Sequence, residues 1–316
     1  MKRGITRRRF VTTTAAAGAS VTLGGGLLGR LVTPAAAAES PAAGLAAVTG
    51  PDGFANTLAA VEAVGGIARF VPEGSRVFVN ANTAFRHPGS IVSPDVLLAV
   101  LDLCAEAGAA EVCLVKKVPD GYWQRSARAA DHQRLIDGAL ISEREVEVVE
   151  IPGGVALKEA HVDRRLLSAD VVLNVAIAKH HQGCDYSGAL KNAMGPCAHR
   201  PTCRFFHVGA NPGTDEWYPN PRHMAQCIAD VQLVRRPDLC ILDAGEVLTS
   251  NGPAGPGELT APKVVAASTD PVATDAYGVR FLGLEPAAVP MIGMAAAHGI
   301  GRADLASVDV LTADVA

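Results

Sequence analysis

Hydrophobic residues in this chain fall into short, dense runs separated by stretches of helical spacing. The densest run, Val171 to Ile177, is apolar at every position but Asn174. A strand this apolar is expected where both faces of a sheet are covered, as in parallel sheets flanked by helices. Shorter runs predict strands at Arg76 to Asn80, Glu111 to Val115, Val146 to Ile151, Leu239 to Asp243 and Lys263 to Ala267. Helical spacing predicts helices at Asn56 to Val64, from the Ser93-Pro94-Asp95 cap to Ala107, at Asp131 to Ala139 and at Arg222 to Val234. Asp270 followed by Pro271 reads as a further N-cap with proline at the first helical position. Gly153 to Arg165 shows neither period and predicts an irregular excursion. The end of the chain reads as a helix, the turn Gly299-Ile300-Gly301 and a last short strand. Strands alternating with helices predict an α/β fold on a doubly wound, mostly parallel sheet.

The first 38 residues do not belong to that pattern. Thr6-Arg7-Arg8-Arg9-Phe10-Val11 matches a twin-arginine export signal, an uncharged Ala/Gly/Thr-rich run follows, and Pro34 to Ala38 offers a small-residue cleavage site. Residues 1–38 are therefore expected to be a signal peptide that engages the twin-arginine export machinery and sends the protein to the periplasm or outside the cell. An uncleaved membrane anchor is the alternative, but the glycines and threonines of Val11 to Gly29 make a poor membrane helix. Residues 39–53, rich in Pro, Ala and Gly, read as a linker. Residues 54–316 read as one α/β domain with room for two lobes. Six of the 28 basic residues lie in the signal, which leaves 22 against 32 acidic residues, a net charge near −10. That balance argues against a nucleic-acid or anionic-membrane partner. Seven cysteines are an odd number, so at least one thiol is free or metal-bound.

Candidate chemistry concentrates between Ser168 and His207. The central strand delivers Lys179, His180 and His181 at its carboxyl end, the edge at which open α/β sheets bind ligands. A loop with Gly183, Cys184, Asp185, Ser187 and Gly188 follows, then Lys191 and Asn192 in a helical turn, then Cys197, His199, Cys203 and His207. Histidine serves as acid or base near neutral pH, lysine anchors a cofactor or an anion, and thiolate with imidazole suits a soft metal or an iron–sulfur cluster. Lys116 and Lys117, with Tyr122-Trp123, sit at another strand end, as a substrate or phosphate clamp or as a solvated loop. His223 and Cys227 lie one helical turn apart, a spacing open to a metal or to an ordinary helix face.

The pattern of strand, Asn174 to His180, short loop, and Ser187-Gly-Ala-Leu-Lys-Asn-Ala-Met-Gly195 resembles the family called domain of unknown function 362. That family's S-x-D-P-V-A-x-D stretch is matched by Ser268 to Asp275, and its Asp-then-Asn-Gly-Pro stretch by Asp243 with Asn251-Gly252-Pro253. Its K-P-N strand end reads Asn80-Ala81-Asn82 here, without the lysine. More distantly, the chain is similar to the nickel-pincer lactate racemase family, which carries a His, then S-G-G-x-K, then a nickel-ligating His. Here His181 precedes Ser187 by six residues and Lys191 by ten, and His207 follows Lys191 by sixteen. The resemblance implies Lys191 as a cofactor-anchoring lysine, His181 as an acid–base residue and His207 as a metal ligand. The racemases' G-T-H-R loop is replaced by Lys116-Lys117-Val118-Pro119.

These readings together lead to an exported, metal- or cofactor-dependent enzyme acting on a small molecule by redox or isomerase-type chemistry. His181, Lys191, Asp243 and Asp275 are its candidate catalytic residues. Ser187, Gly188, Lys191, Asn192, Asn251 and Gly252 are candidates for binding a cofactor, and Cys197, Cys203 and His207 for holding a transition metal, as iron–sulfur or nickel. Two alternatives stand beside it: a non-catalytic metal or iron–sulfur protein for electron transfer or metal handling, and a Cys197–Cys203 disulfide with histidines that merely line a polar pocket.

Overall fold

The computed structural model describes residues 44–209 and 216–316; the expected export signal lies outside them. An eight-stranded sheet organises the chain. Its strands are β1 (Leu45–Thr49), β2 (Arg76–Ala81), β3 (Glu111–Leu114), β4 (Leu140–Ile141), then, beyond a hairpin, β7 (Val171–Ile177), β10 (Leu239–Ala244), β13 (Val264–Ser268) and β14 (Val310–Asp314). The hairpin pairs β5 (Val146–Glu150) with β6 (Glu159–Asp163), and two smaller ribbons pair β8 (Lys179–His181) with β9 (Asp185–Ser187) and β11 (Val247–Leu248) with β12 (Leu259–Thr260). The order across the main sheet is β14-β1-β13-β10-β7-β2-β3-β4. Every neighbour pair is parallel except those made by β13, which runs against both β1 and β10.

Helices cover both faces, as the apolar runs require. Helices α1 (Gly53–Ala63) and α2 (Pro94–Glu106) pack on Val77, Val79, Leu173, Val175, Leu239 and Ile241. Alternate residues of the same strands, among them Phe78, Val172, Ala176, Cys240 and Leu242, face the other layer. After the minor helices α3 (Gln133–Gly138) and α4 (Arg164–Ser168), that layer holds α5 (Ala189–Asn192), α6 (Arg204–Val208), α7 (Pro221–Val231), α8 (Pro271–Gly278) and α9 (Pro290–Ala297). The expected caps are present: Ser93 accepts the amide of Asp95, and Asp270 that of Ala273. No helix among the described residues is long and apolar enough to cross a membrane.

Three expectations need correcting. The stretch read as a linker, 39–53, contains β1, whose Leu45 to Val48 are fully buried between β13 and β14. Ala-rich composition conceals a strand whose partners lie more than 200 residues away in sequence. Val146 to Ile151 does not join the main sheet, and the supposed irregular stretch supplies its hairpin partner β6. The Lys263 strand is the reversed β13, so Asp270 sits at the opposite edge from the ends of β7 and β10, and α8 runs back along the sheet face.

Candidate active site

The end of β7 passes into β8, and β9 returns the chain to α5, which lies on the sheet face below the edge. Two groups of buried polar side chains fix α5. Asp275 of α8 accepts the amides of Ala189 at 2.6 Å and Leu190 at 3.0 Å, with the Tyr186 hydroxyl at 3.5 Å. Gly188 has to be glycine here, because a Cβ would lie 2.3 Å from both the Asp275 Oδ1 and the Tyr186 hydroxyl. On the sheet side, Asn192 donates to the Asn80 carbonyl and the Asn174 Oδ1, both at 2.7 Å. Asn80 returns a bond to the Asn192 carbonyl and Asn174 one to the Ala189 carbonyl, both at 2.8 Å. The two sequence motifs thus form one device: the Asp of Ser268–Asp275 holds the turn that carries Lys191. Burial raises the Asp275 carboxyl to about 7 against the pull of the two amides.

Lys191 is half-buried and has no hydrogen-bond or ion-pair partner among the described residues. Burial lowers its amine, and Cys184 and Cys203 lie near enough to act in the opposite sense. Three more cations share this wall. Lys179 is fully buried, donates to the Ser90 carbonyl at 2.6 Å and lies over the Phe85 ring at 4.2 Å. Burial, then Lys191 and Lys116, push its amine well below the ordinary value. Lys116 is half-buried and lowered by burial and by Arg144. Arg144 donates to the carbonyls of Gly195 at 2.7 Å and Cys197 at 2.8 Å. No carboxylate of the described residues pairs with any of these four cations.

His181 and His207 both pack against Tyr218, with ring centroids 5.4 and 5.5 Å from its ring. Their bonding differs. The His181 Nδ1 accepts the Gly183 amide at 3.0 Å, so in the neutral ring the proton is on Nε2. The His207 Nδ1 lies 2.5 Å from the Cys203 carbonyl. That oxygen can only accept, so the proton is on Nδ1 and Nε2 carries the lone pair. Burial and then the Lys191 charge keep both rings neutral, pushing His181 far below the usual range and His207 to about 4. Neither Nε2 has a hydrogen-bond partner among the described residues.

The remaining candidates divide. Ser187 is buried and pairs with Lys179 in the β8–β9 ribbon. The Gly252 amide donates to the His180 Nδ1 at 3.0 Å, and a Cβ there would run into the His180 carbonyl, so Asn251-Gly252 braces the histidine ribbon. Asn251 is exposed and bonds the Pro256 carbonyl. Both Asp243 oxygens accept backbone amides, from Ser93 at 2.7 Å and Gly245 at 2.8 Å; burial raises its carboxyl to about 6. It ties α2 to the end of β10. Asp243, Asp275 and Asn192 therefore build the frame: the two carboxylates accept backbone amides, and the Asn192 amide donates to the Asn80 carbonyl and to the Asn174 side chain.

The donors proposed for a metal do not fit one. Among the described residues no three His, Cys, Asp or Glu side chains are arranged to hold an ion. Cys197 and Cys203 are free thiols, each pointing at a backbone carbonyl, and burial raises both. No Cys197–Cys203 disulfide is present. Sequence reasoning missed Tyr218 and Arg144. The Trp217-Tyr218 pair in a long loop was the available signal for the first; Arg144 had none.

Residues 77–280, well over half of the chain, match the family model described as a domain of unknown function (DUF362), in agreement with the motifs. No curated protein matches the chain. Among solved structures it is similar to the lactate racemase apoprotein from Thermoanaerobacterium thermosaccharolyticum, with a TM-score of 0.47 and 12% identity over 74% of this chain and 56% of that one. The chain thus spans little more than half of that protein's length, and a likeness of this degree says nothing about chemistry.

Proposed function

The chain belongs to the DUF362 family, and from that premise we propose that it is an enzyme of isomerase type, moving a proton at a carbon of a small anionic molecule. The observation that supports this reading is the pair of neutral histidines with opposite tautomers beside an unpaired lysine. His207 offers a lone pair at Nε2 and acts as the base. The His181 Nε2–H is a neutral donor that stabilises the oxyanion developing when a proton leaves the carbon beside a carbonyl or carboxyl group. Lys191 holds the substrate's anionic group, and Tyr218 packs against both rings. A pKa of about 4 makes His207 a weak base, so the donated hydrogen bonds must lower the barrier as much as the base does.

The distant resemblance also implies a cofactor. Lys191 is the side chain that would hold it; such a group would supply the hydride or electron chemistry these side chains lack. The alternative of a non-catalytic metal or iron–sulfur protein draws no support from the donor geometry. We further propose that the twin-arginine signal exports the protein. Replacing Arg7 and Arg8 by Lys should leave it in the cytoplasm, and unchanged export would refute that part.

The catalytic reading is tested by incubating the purified full chain in deuterated water with a panel of 2-hydroxy, 2-oxo and 2-amino acids. Proton NMR should show loss of a C–H signal for at least one of them with the wild type, but not with His207→Gln. Equal exchange by wild type and variant would reject the assigned base.

A further inference from the structure

We infer that this site takes a ligand with two separated anionic groups on a short carbon chain, one held at Lys191 and the other at Lys116. The inference rests on the reading of this edge as the binding site and adds the class of molecule bound.

Lys116 and Lys117 are adjacent at the end of β3, yet the fold treats them differently. The Lys117 side chain is 80% exposed and reaches Asp120 at 3.7 Å, an ordinary surface pair. Lys116 is turned inward, half-buried, and has no hydrogen-bond or ion-pair partner among the described residues. Arg144 stands beside it with a left-handed backbone, φ 63°, and the carbonyls of Gly195 and Cys197 hold its guanidinium in place. A positive charge is thereby fixed next to Lys116 by backbone that nothing anionic neutralises.

The Cys203 thiol relates this pair to Lys191. It is half-buried, and three cations act on it: Lys191, Arg144 and Lys116. The Cys203 thiol points at the carbonyls of Met194 and Cys197, both at 3.6 Å, and Arg144 donates to that same Cys197 carbonyl, so the arginine beside Lys116 meets Cys203 just past the α5 turn that carries Lys191. Half-buried cations gathered without a carboxylate are unfavourable in the empty protein, because burial and like charge both oppose ionisation. Two such centres at one thiol favour a molecule that brings an anion to each. A dicarboxylate and a carboxylate bearing a phosphate share that chemistry.

The test is calorimetric titration of the full chain at low ionic strength, where charge contacts are least screened, with acetate, malonate, succinate and phosphoglycolate as probes. At least one of the three probes with two anionic groups should bind about tenfold or more tighter than acetate, the effect of one added charge-assisted contact. Malonate or succinate would mark a dicarboxylate site; phosphoglycolate alone would mark a phosphorylated acid. Lys116→Gln should remove that advantage, while Lys117→Gln should keep it; circular dichroism and melting confirm that both variants fold. Two-anion probes no tighter than acetate, or an advantage that survives Lys116→Gln, would overturn the two-anion inference. Acetate binding that disappears in Lys191→Gln would still support the reading of the site itself, whereas no binding of any anion would sink both.

Discussion

Among the described residues, two clusters that combine His, Cys and Asp differ in whether their hydrogen-bonding groups are matched. On α7 and α9, Asp230 is fully buried and accepts the amides of Ala156 at 2.6 Å and Leu157 at 2.8 Å, His298 at 2.7 Å and Gln226 at 2.8 Å. Burial would raise that carboxyl, but these donors hold it below the usual carboxylate value. Beside it the Cys227 thiol lies 3.4 Å from the His223 Nε2, which bonds the Phe205 carbonyl at 3.1 Å. The cluster pins the β5–β6 loop and α9 to α7. At the end of β7 the residue types are similar, but among the described residues Lys191 and Lys116 have no hydrogen-bond or ion-pair partner, neither His181 nor His207 has a partner at Nε2, and the nearby carboxylate of Asp275 faces backbone. What separates a site from a staple here is unspent hydrogen-bonding capacity, not the presence of His, Cys and Asp.

The contrast can be broken at several points. The largest effect is expected at His207: His207→Gln should lower exchange activity by about 10²–10⁴-fold, the usual worth of a general base, with little change in melting temperature. An equal loss in His298→Gln would erase the distinction between the clusters. Next in size, Asp275→Ala should cost about 3–5 kcal/mol in denaturant unfolding measured near pH 4, where the group contributes in full, since it leaves two buried amides without an acceptor. An unchanged midpoint would show that the α5 turn does not depend on it.

The sign of the pH dependence follows from the raised Asp275 carboxyl, about 7 in the fold against about 4 in an unfolded chain. The folded state then binds the proton more tightly, so this group's contribution is full below pH 4 and is lost as pH rises towards 7. Asp275→Asn should therefore gain on the wild type across that window in unfolding free energy; a gap that widens the other way would contradict the assignment. The smallest effect is at the closed cluster. His298→Ala should lower stability by about 1–2 kcal/mol and leave exchange activity within about twofold, because the residue touches nothing at the sheet edge.

The sequence made much of this legible, and unevenly. Apolar runs located β7, β10 and their neighbours within a residue or two, since burial on both faces leaves no other choice of residue. The direction of β13 left no trace in its composition, because a buried strand reads the same in either sense. β1 was hidden because its partners close the sheet from the far end of the chain. At the site, His181, Lys191 and His207 stood out by type and spacing. Asp275, Asn192 and Asp243 stood out as well, but their bonding to the frame did not: spacing cannot show whether a carboxylate faces a ligand or a backbone amide. The cysteines carried the same ambiguity, and only their packing against carbonyls decided it. Tyr218 reaches His181 across a loop, a contact no local pattern encodes.

The central claim is that two uncharged histidines with opposite tautomers pack against the same tyrosine, Tyr218. Nitrogen-15 NMR of the imidazoles at pH 7 measures this directly. The expected spectrum places the proton of His181 on Nε2 and that of His207 on Nδ1, with neither ring charged. A charged ring at pH 7, or the same tautomer at both positions, would contradict it.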